Sequence, residues 1–393
     1  MPPIDRLPQP MTGLILSGGG ARAAYQVGVL AAIAELLPNA EYNPFPVIVG
    51  TSAGAVNAVG LACGALQFRE AIQRLTNVWR AFHSNMVYRS DWSGVVGQAS
   101  RFIAQHMLGF AGSAPVALLD NRPLRALLER ELDFSGIAAA VRQRQLHAVA
   151  ITAFGYESGQ AVTFYQGRAT IDPWFRHRRV GVPTRLKLDH LLASASIPLI
   201  FPPVKVNREY FGDGAVRQAA PISPALHLGA SRVLVIGVSG NLQHEDANAV
   251  VSRVRGAQPP SLAQIGGHML NSTFIDSLES DIESLERINL LSRLLPDVAR
   301  ARLGIRPVDV LVISPSQPLD QIAARFRHEL PRAVRPFLYG SGATRSSGGA
   351  VLSYLLFEPG YCNALIELGY QDALAQQAAI RRFLNLDGAP PAP

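Results

Sequence analysis

Short apolar runs rich in β-branched residues recur along the chain, at 13–16, 47–49, 147–152, 162–165, 233–238 and 308–313. Most are separated by segments whose apolar residues repeat at helical spacing. Strands and helices in alternation bury their apolar faces by layering helices on both sides of a mainly parallel sheet. The expected fold is therefore α/β, a three-layer α/β/α sandwich. At 393 residues there is chain enough for one large domain with additions or for two average ones. No internal repeat is visible.

The composition, 48% hydrophobic and 17% charged, is too apolar for a disordered protein. A formal net charge of +7 favours anionic surfaces, phospholipid headgroups or nucleic acid among them. Lys187 and Lys205 are the only lysines, so the charge is carried by arginine, the side chain best shaped for bidentate phosphate contact; a codon bias toward arginine explains the excess equally well. Two cysteines, Cys63 and Cys362, make neither a disulfide framework nor a metal-ligand spacing. Free thiols, a reducing compartment and no metal are the expectation. The start of the chain lacks the basic and apolar segments of a signal peptide, which points to the cytoplasm. The uncharged stretch 45–68 has the length of a membrane span, but Pro46, Gly50, Gly54, Gly60 and Gly64 break it into a strand, a tight turn and a buried helix.

Farther along, Leu262, Ile265, Met269, Ile275, Leu278, Ile282 and Leu285 recur at spacings near three and four, as on one or two amphipathic helices. After Pro315 no strand candidate remains, and 350–357 and 363–384 look helical. The expected organisation is a flexible 1–12, an α/β domain over 13–240, amphipathic helices and a last core strand over 241–320, and a helical C-terminal region with a disordered tail over 321–393.

The segment Ser17-Gly18-Gly19-Gly20-Ala21-Arg22 falls directly after the first strand and before a helix. Consecutive glycines let backbone N–H groups converge on one point, and the helix N-terminus adds positive potential there, so an anion is favoured. Arg22 would add a fixed charge. Gly18, Gly20 and Ala23 also fit the dinucleotide pattern G-x-G-x-x-A, but Glu41 lies in a loop before its strand rather than at a strand's end, and no Walker lysine is present.

Gly50-Thr51-Ser52-Ala53-Gly54 again joins a strand to a helix. A nucleophile elbow needs small residues around its serine because the turn is tight. The third motif, Asp213-Gly214-Ala215, follows the strand-like 204–211; alone, an aspartate before glycine is a turn residue. Of nine histidines, His227, His244, His268 and His328 lie downstream of Asp213, where a conventional triad would need its base. None sits in a glycine-flanked loop after a strand.

A GGGxR loop, then GTSAG after the second strand, then DGA, in that order, resembles the patatin-like phospholipases. Ala193-Ser194-Ala195-Ser196-Ile197-Pro198, running into Phe201-Pro202-Pro203-Val204, resembles a segment these proteins carry shortly before DGA. The resemblance covers about 13–239. It implies a patatin-like sandwich and a catalytic dyad in which Ser52 attacks an ester carbonyl and Asp213 takes its proton, with histidine unnecessary. The amides of the Gly18–Gly20 loop, helped by Arg22, would form the oxyanion hole. No cofactor is implied. One departure is Ala23, at the family's last glycine position, where a small residue suffices for close packing.

The resemblance also implies the substrate, a phospholipid, lysophospholipid or other lipid acyl ester, with peripheral membrane contact and no nucleic acid. The stretch 92–115, with Phe102, Ile103, Met107, Leu108 and Phe110, is either a lid or chain-binding segment or ordinary core. The stretch 174–179, followed by Arg185 and Lys187, is either an interfacial anchor or a solvated basic loop. Two other functions stay open on the residues alone: a nucleotide-dependent oxidoreductase using the Gly18 loop, and an inactive membrane-binding scaffold.

Overall fold

The apolar runs all become strands of one mixed sheet in the computed structural model, which describes residues 10–92, 97, 100, 117–239, 262–272, 277–303, 306–335 and 349–387. β1 (Met11–Leu16) and β2 (Val47–Thr51) lie at its centre, and nearly every residue of both is buried. Central strands covered on both faces read as continuous apolar runs, which is why the sequence marks them clearly. β3 (Ala148–Gly155), β4 (Ala161–Gly167), β5 (Trp174–Arg176), β6 (Arg179–Pro183), β7 (Val204–Val206), β8 (Glu209–Asp213), β9 (Ala230–Ile236) and β10 (Asp309–Ile313) complete it. The order is β10-β9-β1-β2-β3-β4-β6-β5, with every neighbour parallel from β10 to β3 and β4 antiparallel to β3.

Two stretches differ from the sequence reading. The basic stretch from Trp174 is a hairpin, β5–β6, that extends the sheet edge rather than a loop. Trp174 faces the core, stacked between Tyr165 and His227 at centroid distances of 5.2 and 4.8 Å, while Phe175 on the opposite face is 71% exposed. The stretch 204–211 is not one strand but the β7–β8 hairpin, turned at Asn207 with φ 56. Asparagine tolerates that left-handed conformation better than most side chains.

Helices cover both faces of the sheet. On one side lie α1 (Ala24–Leu36), α2 (Ala53–Cys63), α3 (Phe68–Arg80) and the short α4 (Leu188–Ser194). On the other, α6 (Ser277–Leu294) buries Leu278 and Leu285, as its spacing predicts. The same spacing fails one helix earlier: on α5 (Leu262–Asn271), Ile265 and Met269 face solvent. Ile275 lies outside the described residues. The helical C-terminal region is present as α7 (Gly349–Leu355), α8 (Pro359–Ala375) and the shorter Gln377–Phe383. α8 packs along α1, so α1 is enclosed all round and carries apolar residues on every side. The Tyr25 hydroxyl donates to Asp372 at 3.0 Å across that contact.

Among the described residues no helix is long and apolar enough to cross a membrane. The two cysteines are unpaired, and burial pushes the Cys63 thiol up to about 12.

Candidate active site

β2 ends at Thr51 and the chain turns into α2 at Ser52, whose backbone sits at φ 56 and ψ −129. A non-glycine residue held there costs on the order of 1–3 kcal/mol, so its surroundings must fix it. The Ser52 N–H donates to the Ser194 hydroxyl at 3.0 Å, and that hydroxyl donates to the Thr152 carbonyl at 2.6 Å. The Ser52 carbonyl accepts the Ala55 N–H at 2.9 Å. Gly54, on the first turn of α2, lies against the carbonyl oxygens of Leu16 and Ser17, and any Cβ would overlap both. This close approach docks the glycine loop onto the elbow.

The loop itself passes from β1 through Gly18 and Gly19 into a 3-10 turn, Gly20–Ala23, that leads into α1. Its polar braces are buried. Gln26 donates to the Ser17 carbonyl at 2.8 Å, while Asn57 donates to the Ala23 carbonyl at 3.1 Å and to Gln26 at 3.0 Å. The Trp79 indole closes the chain, donating to Asn57 at 2.8 Å. Gly20 and Ser52 line one cleft, whose apolar wall includes Val56, Trp79, Phe82, Leu124, Phe201 and Phe357. Trp79 and Phe82 are stacked there at 4.8 Å. Gly18 and Thr51 line a smaller hollow with Ala215 and Gln218.

Arg22 is placed otherwise than the sequence suggested. Its side chain is buried and its head turns to α7, where Nε donates to the Ser353 hydroxyl at 2.8 Å and the guanidinium lies 4.2 Å over the Tyr354 ring.

Strand register brings Asp213 to Ser52. Thr51 pairs with Thr152 as the last parallel step of β2 on β3. β3 runs on, and Ala153, whose other neighbour is Val162 of β4, pairs with Asp213 on the side that β2 has vacated. The carboxyl thus lands where the chain leaves β2 at Ser52. The Asp213 N–H donates to the Ser196 carbonyl at 2.8 Å, so the segment 194–196 holds both residues.

Asp213 is fully buried. Oδ1 accepts the Ala215 N–H at 3.0 Å, and Oδ2 has no well-aligned hydrogen bond. Burial raises its pKa from 3.8 to about 7, against the opposing pull of the Ser52 hydroxyl and the Ala215 amide. The hydroxyl is thus near enough to influence the carboxyl without being aligned on Oδ2. Close by, Gln218 accepts from the Thr51 hydroxyl at 2.5 Å and donates to the Thr152 hydroxyl at 3.3 Å. The Thr152 and Thr163 hydroxyls meet at 3.1 Å, completing a row of three threonines in register.

No histidine is a hydrogen-bond partner of Ser52 or Asp213 among the described residues. His227 stacks on Trp174, His268 and His328 are exposed, and His244 lies outside the described residues, as does nearly all of 92–115. No cluster of three metal-binding side chains occurs among the described residues. Sequence reasoning missed Gln26, Asn57, Thr152 and Gln218 as supports. Ser194 and Ser196 were visible as part of a motif, without a role.

The family model for patatin-like phospholipases matches residues 14–226, more than half of the chain, and the chain belongs to that family. It is 28% identical over 215 residues to a cGAMP-activated phospholipase of Pseudomonas aeruginosa (strain BWHPSA011 / Pa011), a match covering 54% of this chain and 55% of that protein. The chain thus spans about half the length of this curated relative. Among solved structures it is similar to human GIVD cytosolic phospholipase A2, at 13% identity and a TM-score of 0.45 over 96% of this chain and 60% of the other. It is also similar to VipD from Legionella pneumophila, at 11% identity and a TM-score of 0.33 over 96% and 67%.

Proposed function

We propose that the protein hydrolyses acyl ester bonds of phospholipids or lysophospholipids through an acyl-enzyme, with Ser52 as nucleophile and Asp213 as base. The observation that carries this reading is the pairing of a strained, buried serine with a fully buried carboxyl whose pKa is pushed up to about 7 and whose Oδ2 has no aligned partner. An ordinary carboxylate is too weak a base for a hydroxyl, and desolvation is what strengthens it.

In the first half-reaction Ser52 Oγ attacks the ester carbonyl carbon while its proton passes to Asp213. The carbonyl oxygen becomes an oxyanion facing the backbone amides of the Gly18–Gly20 loop, where each well-aimed donor contributes roughly 3–4 kcal/mol to the transition state. Collapse expels the alcohol, which takes the proton from Asp213. Water then attacks the Ser52 ester while Asp213 takes its proton; collapse breaks the bond to Ser52 Oγ, which takes that proton back from Asp213, and the fatty acid leaves. The apolar cleft beside Ser52 suits the acyl chain, and the net charge of +7 suits peripheral contact with anionic lipid.

The test is labelling by a fluorophosphonate together with turnover of a short p-nitrophenyl ester and of defined phospholipids. Ser52→Ala is expected to abolish both labelling and turnover, and Asp213→Asn to abolish turnover. Retention of most activity by Asp213→Asn would remove the dyad and require another base.

A further inference from the structure

Arg22 is buried, 4% exposed as a whole residue, and among the described residues no salt bridge joins its guanidinium to a carboxylate. A buried charge needs its donors taken up, and here helix α7 supplies the acceptors. Ser353 accepts from Nε at 2.8 Å, and the Tyr354 hydroxyl accepts from Nη1 at 3.4 Å. The Tyr354 ring lies under the guanidinium, and the Tyr354 hydroxyl donates onward to Asn271 at the end of α5, at 3.0 Å.

The same helix meets the glycine loop by its backbone. Gly20 stands at φ +56, and the space a Cβ would fill is taken by the Tyr354 carbonyl oxygen. Gly20 also lines the cleft of Ser52. One side of the loop's turn is therefore seated on α7, and the residue two places on is bound to it through a side chain. The loop's other side is braced from within the fold by Gln26 and Asn57. Donors aimed at a developing oxyanion lose most of their worth when misaimed by even an ångström.

We propose that α7 is a positioning element for the oxyanion loop, acting through Ser353 and Tyr354 on Arg22, and that Arg22 works by fixing the loop's shape rather than by presenting its charge to substrate. The aim of the Gly18–Gly20 amides then depends on where α7 sits, some 330 residues away in sequence by the Arg22–Ser353 contact, whose separation is 331. Whatever shifts α7, or α5 through Asn271, changes turnover without touching Ser52 or Asp213. This inference rests on the loop's role under the proposed function.

The test compares Ser353→Ala, Tyr354→Phe and Arg22→Lys in the full chain, with kcat, KM, melting temperature and the rate of fluorophosphonate labelling. Ser353→Ala is expected to lower kcat and the labelling rate about tenfold, with KM within twofold and melting within a few degrees, the loss of one charge-assisted hydrogen bond. Arg22→Lys keeps the charge but not the fork, and is expected to fall at least as far; adding Ser353→Ala to it should cost little more. A lysine variant near wild-type turnover, or a Ser353→Ala protein that labels at the wild-type rate, overturns the proposal. So does a kcat loss in Ser353→Ala that is matched by gross loss of stability and is not shared by Tyr354→Phe. Labelling of the wild-type protein at Ser52 in the same experiment shows that the nucleophile reading stands independently of these outcomes.

Discussion

The Ser194 hydroxyl accepts the N–H of Ser52 at 3.0 Å while donating to the carbonyl of Thr152 at 2.6 Å. One side chain thereby ties the strained turn to the strand on which the base is registered. Ser194→Ala leaves a buried N–H without a partner, at a cost of about 1–3 kcal/mol, and lets Ser52 relax from its left-handed conformation. We expect a kcat decrease of roughly ten- to a hundredfold, on the scale of 1.4 kcal/mol per decade, with KM little changed. Steady-state kinetics with a soluble ester reads this directly, and wild-type kcat in the variant would remove Ser194 from the support of the elbow.

A carboxyl that must be ionised to accept a proton, with its pKa pushed up to about 7, sets the acid limb of the rate profile. kcat/KM should rise with pH and level off above about 7. Were Asp213 an ordinary carboxylate, the limb would lie near pH 4, and a flat profile between about pH 5 and 8 would contradict the burial argument.

Protonation of Asp213 also bears on stability. Its folded-state pKa lies above the unfolded value, so the native state holds the proton more tightly. The associated stability is present below the unfolded pKa and is lost as pH rises through about 7. At pH 8 the ionised, desolvated carboxylate costs on the order of a few kcal/mol, which Asp213→Asn removes. The variant should melt several degrees above the wild type at about pH 8, with the gain fading toward pH 4. An equal or lower melting temperature at pH 8 would speak against a desolvated carboxylate.

His227 belongs to the aromatic stack with Trp174, and burial together with nearby Arg176 and Arg179 lowers its pKa. Its replacement by alanine should leave esterase turnover within about twofold while costing some stability through lost packing. A thousandfold loss of turnover would instead identify a histidine base.

The glycine loop and the elbow were legible because each is a local device: small residues at fixed offsets between a strand and a helix. Parallel strands covered on both faces were legible for the same reason, as unbroken apolar runs. The roles of Ser194 and Gln218 were not, because a polar side chain carries no local mark of a partner 142 or 167 residues away. Nor was the β5–β6 hairpin, whose arginines hide an edge strand with a single inward tryptophan. The β7–β8 turn at Asn207 lacks the glycine that usually announces a tight hairpin. The apolar stripe of α5 misled in the opposite direction, since Ile265 and Met269 have the spacing of a core helix and yet face solvent.

The placement of Asp213 by pairing with Ala153 has a consequence for how such a chain tolerates change. Lengthening the β7–β8 turn around Asn207 adds residues beyond the last rung, Val206 with Glu209, and leaves the ladder intact. A single residue added between Glu209 and Asp213 would advance the aspartate by one step and swing its side chain to the far face of the sheet, since strand side chains alternate. Tip insertions should thus be silent and strand insertions fatal, a contrast of length rather than of chemistry.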